Sequence, residues 1–224
     1  MSKIFIPTTN PEQWAHFLAE PAKHWKQGYS ARTLAYCWQE ADGFPGSVLN
    51  VLTKAVPFKD IEMILAIPEH QVALPGGTRP SQTDLWVLSR CKSGLVSIAV
   101  EGKVSEPFGP TVGEWLSEAS PGKKERLNYL CTKLNIHAPP DHIRYQLIHR
   151  TVSAIIEAER YHAKHAVLLI HSFSQSDEWF DDYKNFAMLF NATAQIDEII
   201  SAGSLSNIEL HLAWVRGEKA YLTK

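Results

Sequence analysis

Two acidic residues and a lysine stand where two predicted strands of a hairpin come together. Residues 83–91 and 95–104 are rich in β-branched and apolar side chains, and a short Lys-Ser-Gly turn separates them, which predicts an antiparallel hairpin. In the register that this turn favours, Asp84 lies opposite Glu101, and Lys103 points to the same face two residues further on. We therefore expect two carboxylates and an ammonium group together at the open end of the hairpin.

This group of charges suits a divalent cation. Two carboxylates held side by side repel each other, and near an apolar sheet they need a positive charge between them. Lys103 supplies part of that charge, and Mg²⁺ or Mn²⁺, which prefer hard oxygen ligands, would supply it better. Gly102, between Glu101 and Lys103, weakens a strand unless another part of the protein approaches it closely. The alternative is structural, because Asp84, Glu101 and Lys103 could also form a salt-bridged cap on the sheet.

The elements around the hairpin predict one α/β domain over residues 1–224, a length that allows a sizeable core. A helix is predicted over residues 30–43, with Ser30 as a plausible N-cap, and a first strand over residues 60–67. Thr111 with Glu114 predicts a capping box, and Ser120 before a proline predicts a second helix start. The remaining predicted elements are a helix, a strand, a helix and a strand at residues 141–163, 166–173, 177–190 and 208–217. This order predicts a mixed central sheet of about five strands flanked by helices.

The residues of the hairpin resemble the PD-(D/E)XK nuclease superfamily, which has a restriction-endonuclease-like core. In that family an acid on the second core strand precedes, across a hairpin, an (Asp/Glu)-x-Lys triplet on the third, here Asp84 and then Glu101-Gly102-Lys103. The family's α-β-β-β-α-β order matches residues 30–217, with an N-terminal segment at 1–29 and a helical insertion at about 108–140. The run around the triplet also resembles an uncharacterised bacterial domain-of-unknown-function family assigned to this fold.

The resemblance implies a metal-dependent nuclease that hydrolyses phosphodiester bonds in DNA or RNA. Asp84 and Glu101 would hold Mg²⁺ or Mn²⁺, and Glu40 of the first helix would be a further metal ligand. Lys103 would orient the attacking water or stabilise charge in the transition state. Glu40 is equally consistent with a solvated surface acid at a helix end.

Two residues of the long helix are candidates for substrate binding under the same resemblance. Gln146 and Arg150 lie one turn apart on one face and would contact phosphates of the substrate. They are also consistent with the polar face of an amphipathic helix. The fold with an idle site would be a non-catalytic binding or regulatory module, which is the alternative to an enzyme.

Composition limits the other classes of function. The formal net charge of −2 argues against a protein that coats nucleic acid through a broad basic face, although a local basic groove is compatible with it. Three widely spaced cysteines predict neither a disulfide framework nor a zinc knuckle. The first residues have no apolar signal-peptide region, and no run of apolar residues reaches membrane-spanning length. These features predict a cytoplasmic protein with no membrane partner.

Overall fold

A single six-stranded sheet organises the protein. The computed structural model describes residues 8–224; residues 1–7, on which part of the signal-peptide prediction rests, lie outside the described residues. The strands are β1 (Glu62–Val72), β2 (Ser81–Cys91), β3 (Gly94–Lys103), β4 (His165–Ser172), β5 (Glu198–Leu205) and β6 (Ile208–Arg216). Their order across the sheet is β1-β2-β3-β4-β6-β5.

Helices cover both faces of this sheet. They are α1 (Pro21–His24), α2 (Ser30–Glu40), α3 (Gly46–Leu52), α4 (Val112–Leu116), α5 (Pro121–Leu134), α6 (Tyr145–Arg160) and α7 (Phe180–Met188). Short 3₁₀ helices lie at Pro11–Phe17, Val56–Phe58 and Lys219–Thr223. Across residues 8–224, no helix has the length and apolar character needed to cross a membrane.

The strand directions make the sheet mixed. β1, β2 and β3 form an antiparallel meander, β4 runs parallel to β3, β6 runs parallel to β4, and β5 is antiparallel to β6. The predicted α/β class with a mixed sheet between helices is confirmed. The sheet has one strand more than predicted, because β5 forms an edge hairpin with β6.

The predicted register of the β2–β3 hairpin is correct. Leu85 pairs with Val100, Trp86 pairs with Ala99, and the hairpin closes at Cys91 and Gly94. Continuing this register by one residue places Asp84 opposite Glu101. The register matters because a shift of one residue would have turned every side chain to the other face of the sheet.

Two apolar layers enclose the sheet. One packs α6 against the middle strands and includes Leu147, Ile148, Leu168 and Trp214. The other packs α2 and α3 against the opposite face and includes, among its fully buried members, Leu34, Trp38, Leu52, Phe58 and Val100. Because both faces are covered, β4 is buried along its whole length.

The helix starts differ in how well they are capped. Thr111 and Glu114 form the predicted capping box, and Ser120 Oγ accepts a hydrogen bond from Lys123 N–H at 3.2 Å. The prediction of Ser30 as an N-cap is wrong. Ser30 is the first residue of α2, Tyr29 occupies the N-cap position, and no side chain caps the first turn. The first amide groups of α2 therefore keep unsatisfied hydrogen-bonding capacity.

Candidate active site

A pocket of about 530 Å³ lies at the end of the sheet where β2 begins and β3 ends. The sheet and the loop after β3 contribute four carboxylates, which we call the acidic group: Glu69, Asp84, Glu101 and Glu106. The chain around α1 contributes three basic side chains, which we call the basic segment: Lys23, His24 and Lys26. Lys103 and Gln146 also line the pocket. Acidic and basic groups from separate parts of the chain thus meet around one cavity.

The three residues predicted from the hairpin converge on this pocket. Lys103 Nζ donates a hydrogen bond to Glu101 Oε1 at 2.7 Å, and Glu101 is only 2% exposed. Asp84 lines the same pocket, and its Oδ2 accepts a hydrogen bond from the backbone N–H of Gly102 at 2.8 Å. The register argument therefore located the group correctly from the sequence.

Gly102 is the point of close approach that its place in the strand suggested. A Cβ atom added there would lie 3.3 Å from Leu34 Cδ2 of α2 and 3.4 Å from Asp84 Oδ2. The absence of a side chain lets α2 pack directly onto β3. It also leaves the Gly102 amide accessible to the Asp84 carboxylate, which fixes that side chain in the pocket.

Sequence reasoning missed Glu69. The predicted first strand stopped at residue 67, but β1 continues through Pro68, as an edge strand allows. The pairs Pro68–Leu85 and His70–Thr83 bracket Glu69 and place it opposite Asp84. Glu69 has a left-handed backbone with φ of 51°, an uncommon conformation for a residue other than glycine. Glu69, Asp84 and Glu101 therefore stand side by side on three neighbouring strands.

Burial and mutual repulsion shift the pKa values of these three carboxyl groups apart. Burial, reinforced by the Glu101 charge, raises the pKa of Asp84 to about 7. Burial, reinforced by the Asp84 charge, raises the pKa of Glu69 to about 8. Burial alone would also raise the pKa of Glu101, but Lys103 and Arg150 outweigh it and hold the pKa below its ordinary value. Glu101 is the ionised member, and Asp84 and Glu69 titrate near neutral pH.

Arg150 is placed differently from what we predicted. It is 8% exposed, does not line the pocket, and donates from Nε to Glu101 Oε2 at 2.7 Å. Ser81 Oγ accepts a second, longer hydrogen bond from its Nη1 at 3.4 Å. The guanidinium group therefore neutralises Glu101 from the side of α6, and its burial removes it from the residues that could contact a phosphate.

Gln146 lies at the pocket as predicted. Gln146 and Glu106 each have a buried side-chain oxygen that accepts no hydrogen bond from the described residues. Gln146 lines the pocket, and its Oε1 is buried without a hydrogen-bond partner among the described residues. Glu106 holds the amides of Val104 and Ser105 with Oε2, while its Oε1 is likewise buried and unpartnered. Buried oxygens without donors are costly, so a cation or a donor from a ligand would stabilise both.

Glu40 does not belong to this site. It ends α2, whereas Ser30 and Ala31 at the start of that helix line the pocket. Its carboxylate is exposed and lies 3.6 Å from the ammonium group of Lys224. The prediction that Glu40 is a metal ligand is therefore corrected, since ten residues of helix, about 15 Å, separate it from the end of α2 at the pocket.

The donor chemistry, although not the present geometry, suits a divalent metal ion. Glu101 and the partly buried Glu69 and Asp84 face two buried cations, Lys103 and Arg150, so one negative charge is uncompensated when all three carboxyl groups are ionised, and a metal ion would favour that ionised state by lowering the pKa values of Asp84 and Glu69. Within residues 8–224, no three His, Cys, Asp or Glu side chains are already gathered around one metal position. Both oxygens of Glu101 are held by cations, so one must release Glu101 before a metal ion could be held fully. Carboxylate oxygens are the hard ligands that Mg²⁺ and Mn²⁺ prefer.

A larger groove elsewhere lacks comparable chemistry. Its volume is about 620 Å³, and it is lined by α5 and the following loop, including Leu127, Asn128, Cys131 and His137, with no acidic residue. Burial raises the pKa of the Cys131 thiol, which makes it a poor nucleophile at neutral pH. The pocket with the acidic group is therefore the candidate active site.

The fold and the pocket define an α/β protein with a pocket lined by acidic residues at one end of a mixed sheet. The model of a family described as a domain of unknown function (DUF6946) matches residues 7–219, and the chain belongs to that family. A comparison with curated proteins gives no match, and a comparison with solved structures gives none.

Proposed function

We propose that this protein is a cytoplasmic, metal-dependent phosphodiesterase that acts on nucleic acid. The observation that carries the proposal is the pocket itself, where the acidic group faces the basic segment across one cavity. A metal ion held by carboxylates and a phosphate drawn by cations would meet there. The resemblance of Asp84 and the Glu101-Gly102-Lys103 triplet to PD-(D/E)XK nucleases supports the same reaction.

Asp84 and Glu101 would hold Mg²⁺ or Mn²⁺, and Glu69 replaces Glu40 as the third carboxylate near them. When bound, the metal would polarise the scissile phosphate and lower the pKa of an attacking water. The protein would supply rigidity, because β1, β2 and β3 each fix one of these carboxylates by backbone pairing. The Gly102 amide holds Asp84 in place at 2.8 Å.

Lys103 would be the catalytic cation. Its ammonium group lies 5.0 Å from the ring centroid of Phe108 and donates to Glu101 Oε1 in the ligand-free protein. If a metal ion took over that carboxylate oxygen, the ammonium group would turn to the water or to the phosphate oxygens. Arg150 would stay on Glu101 Oε2 and keep that carboxylate oriented.

The basic segment would bind the phosphate backbone. Lys23, His24 and Lys26 line the pocket, and Ser30 and Ala31 bring the uncapped first turn of α2 to it. Helix amides without partners and lysine side chains both attract phosphate. A protein of net charge −2 can therefore bind a nucleic acid locally without a broad basic face.

A second candidate function is a non-catalytic binding or regulatory module. The observation that favours it is the saturation of Glu101, since Lys103 and Arg150 each hold one of its oxygens at 2.7 Å. A triplet that served only as a buried ion-pair network would look the same. The pocket would then bind nucleic acid through the basic segment without cutting it.

Metal binding and cleavage separate the two candidates. By calorimetry, we expect at least one Mn²⁺ ion to bind per protein molecule. In a screen of single-stranded and duplex DNA and RNA, we expect cleavage that occurs only when metal is present. Asp84→Asn should weaken Mn²⁺ binding at least tenfold and abolish cleavage, whereas the matched control Glu40→Gln should leave both within twofold. Mn²⁺ binding that is indifferent to Asp84→Asn, with no metal-dependent cleavage, would reject the enzyme in favour of the module.

A further inference from the structure

One aromatic ring stands open beside the basic segment. Tyr29 immediately precedes α2, lines the pocket, and is 46% exposed. The other strongly exposed aromatic side chain of the described residues, Tyr161 at 39%, differs because it stacks on Trp86 with ring centroids 5.2 Å apart. Tyrosine is enriched at binding interfaces, because its ring offers an apolar face and its hydroxyl group a polar end.

A cation accompanies this ring. Lys26 Nζ lies 5.7 Å from the ring centroid of Tyr29, within the range of a cation–π contact. Proteins that bind single strands combine the same two parts, an aromatic face for a base and a basic side chain for the adjoining phosphate. The spacing of Tyr29 and Lys26 would therefore allow them to contact the base and the phosphate of one nucleotide.

The pocket suits one strand and not two. Its volume of about 530 Å³ falls in the range of about 300–1,000 Å³ for sites that enclose a small ligand. The bases of a duplex are stacked on each other, so their faces are covered and cannot lie on a protein ring. An unpaired base exposes its face and can stack on Tyr29 while its phosphate enters the pocket.

We infer that the pocket takes single-stranded nucleic acid, with one base stacked on Tyr29 and the neighbouring phosphates held by Lys26 and Lys23. This inference rests on the proposed function for the chemistry at the scissile phosphate, and it adds the substrate class. Stacking on Tyr29 would fix the position of the nucleic acid along the pocket. It would bring the next phosphate toward Asp84 and Lys103.

Fluorescence anisotropy with a labelled oligothymidylate tests the inference in the full-length protein, in Ca²⁺ and again in EDTA. We expect the single strand to bind at least tenfold more tightly than a duplex of the same length. Tyr29→Phe, which keeps the ring, should bind within twofold of wild type. Tyr29→Leu, which keeps apolar bulk without the aromatic face, should weaken binding at least fivefold, as loss of one stacked base does.

Lysine variants give the matched charge test. Lys26→Gln should weaken binding and lower the slope of log affinity against log salt by about 0.7, the value for one phosphate contact on a single strand. Lys92→Gln removes an equal charge at the turn of the β2–β3 hairpin, away from the pocket, and should change neither quantity. Unaltered melting temperatures would show that the variants are folded.

The outcomes separate this inference from the proposed function. Equal or tighter binding of the duplex, no binding of either nucleic acid, or a Tyr29→Leu affinity within twofold of wild type would overturn the inference. Metal-dependent cleavage that persists with Tyr29→Leu at an unchanged KM would overturn it too, but would leave the phosphodiesterase standing. Strong dependence on Tyr29 without any cleavage would support the single-strand site and remove the catalytic proposal.

Discussion

The two ends of the sheet bury ionisable groups in opposite ways. At the end described above, Glu69, Asp84 and Glu101 lie together beside Lys103 and Arg150, and the pKa values of Glu69 and Asp84 are raised. At the other end, Ser93 Oγ lies 2.8 Å from His165 Nε2, and His165 Nδ1 lies 3.3 Å from His211 Nε2. Both regions are polar and enclosed, but the acidic end packs carboxyl groups against cations, whereas the other end is built from a serine and two imidazole rings.

The pKa values express this difference. Burial lowers the pKa of His165, and burial together with His165 lowers the pKa of His211 to about 4. Both rings are therefore neutral at pH 7, and one chain of hydrogen bonds satisfies them. Burial of a titratable group is thus no sign of function by itself, and the acidic end stands out because carboxyl groups with raised pKa values line a cavity together.

The largest effect is expected from removing the buried counter-charge. Arg150→Met leaves Glu101 with only Lys103, and breaking one side of a buried ion pair costs about 3–5 kcal/mol. We expect the free energy of unfolding to fall by that amount, and added Mn²⁺ to restore part of it. Urea denaturation with and without Mn²⁺ measures both.

Arg90→Met is the control for that change. Arg90 pairs with Glu62 at 2.7 Å, but both side chains are more than 60% exposed. Exposed pairs contribute about 0–1 kcal/mol, so this variant should lie close to wild type. If Arg150→Met lowers the free energy of unfolding by a similarly small amount, the buried pair of Arg150 and Glu101 contributes no more to stability than an exposed pair.

The next effect concerns catalysis. Lys103→Met should lower the metal-dependent cleavage rate at least about a hundredfold, which corresponds to roughly 3 kcal/mol of transition-state stabilisation. Mn²⁺ affinity should hold or rise, because a competing positive charge is gone. Single-turnover kinetics and calorimetry, with Lys92→Met as the control, provide the readings. A rate within threefold of wild type would reduce Lys103 to a structural partner of Glu101.

A pH-dependent gain in stability is expected for Asp84→Asn. The pKa of Asp84 is about 7 in the folded protein and ordinarily near 4, so the folded state binds a proton more tightly than the unfolded state. Wild type therefore loses stability as pH rises from about 4 to 7, and the variant escapes that loss. We expect the variant to gain about 3–4 kcal/mol relative to wild type between pH 4 and pH 8. Unfolding curves whose difference does not change with pH would contradict this.

The smallest effect is expected at the histidine end, with the opposite sign. The pKa of His211 is about 4 when folded, below the usual 6.5, so the unfolded state takes up the proton first. Wild type should lose stability as pH falls below about 6.5, and His211→Gln should reduce that loss by about 2 kcal/mol at pH 5. Circular dichroism can follow the acid unfolding of both proteins. If stability falls with pH at the same slope in wild type and His211→Gln, the prediction is wrong.

The parts of the fold that the sequence predicts are those with strong local patterns. The hairpin register follows from a short turn between two apolar runs, and the capping box at Thr111 follows from two residues with one geometry. Asp84, Glu101 and Lys103 were located because register converts sequence spacing into faces of a sheet. α3 and β5 went unpredicted: α3 is a short glycine-led helix, and β5 is a half-exposed edge strand without an apolar run.

The missing parts of the site depend on contacts between distant elements. Glu69 could not be assigned to β1 from the sequence, because a proline such as Pro68 is expected to end a strand unless that strand lies at the edge of a sheet. Whether a strand lies at an edge depends on the arrangement of the whole sheet. Arg150 and Gln146 look alike on a helical wheel. Only the packing of α6 on β3 shows that one is buried against Glu101 and the other faces the cavity.

Gly102 has one more consequence. It sets the distance at which α2 crosses β3, since Leu34 Cδ2 already stands 3.3 Å from the place where a methyl group would begin. The start of the same helix carries Tyr29 and the uncapped amides to the pocket. A methyl group at Gly102 would press on Leu34, so that side chain or the helix that carries it would have to shift by a few tenths of an ångström. A residue inside the core thus constrains the position of a helix whose first turn lines a surface cleft.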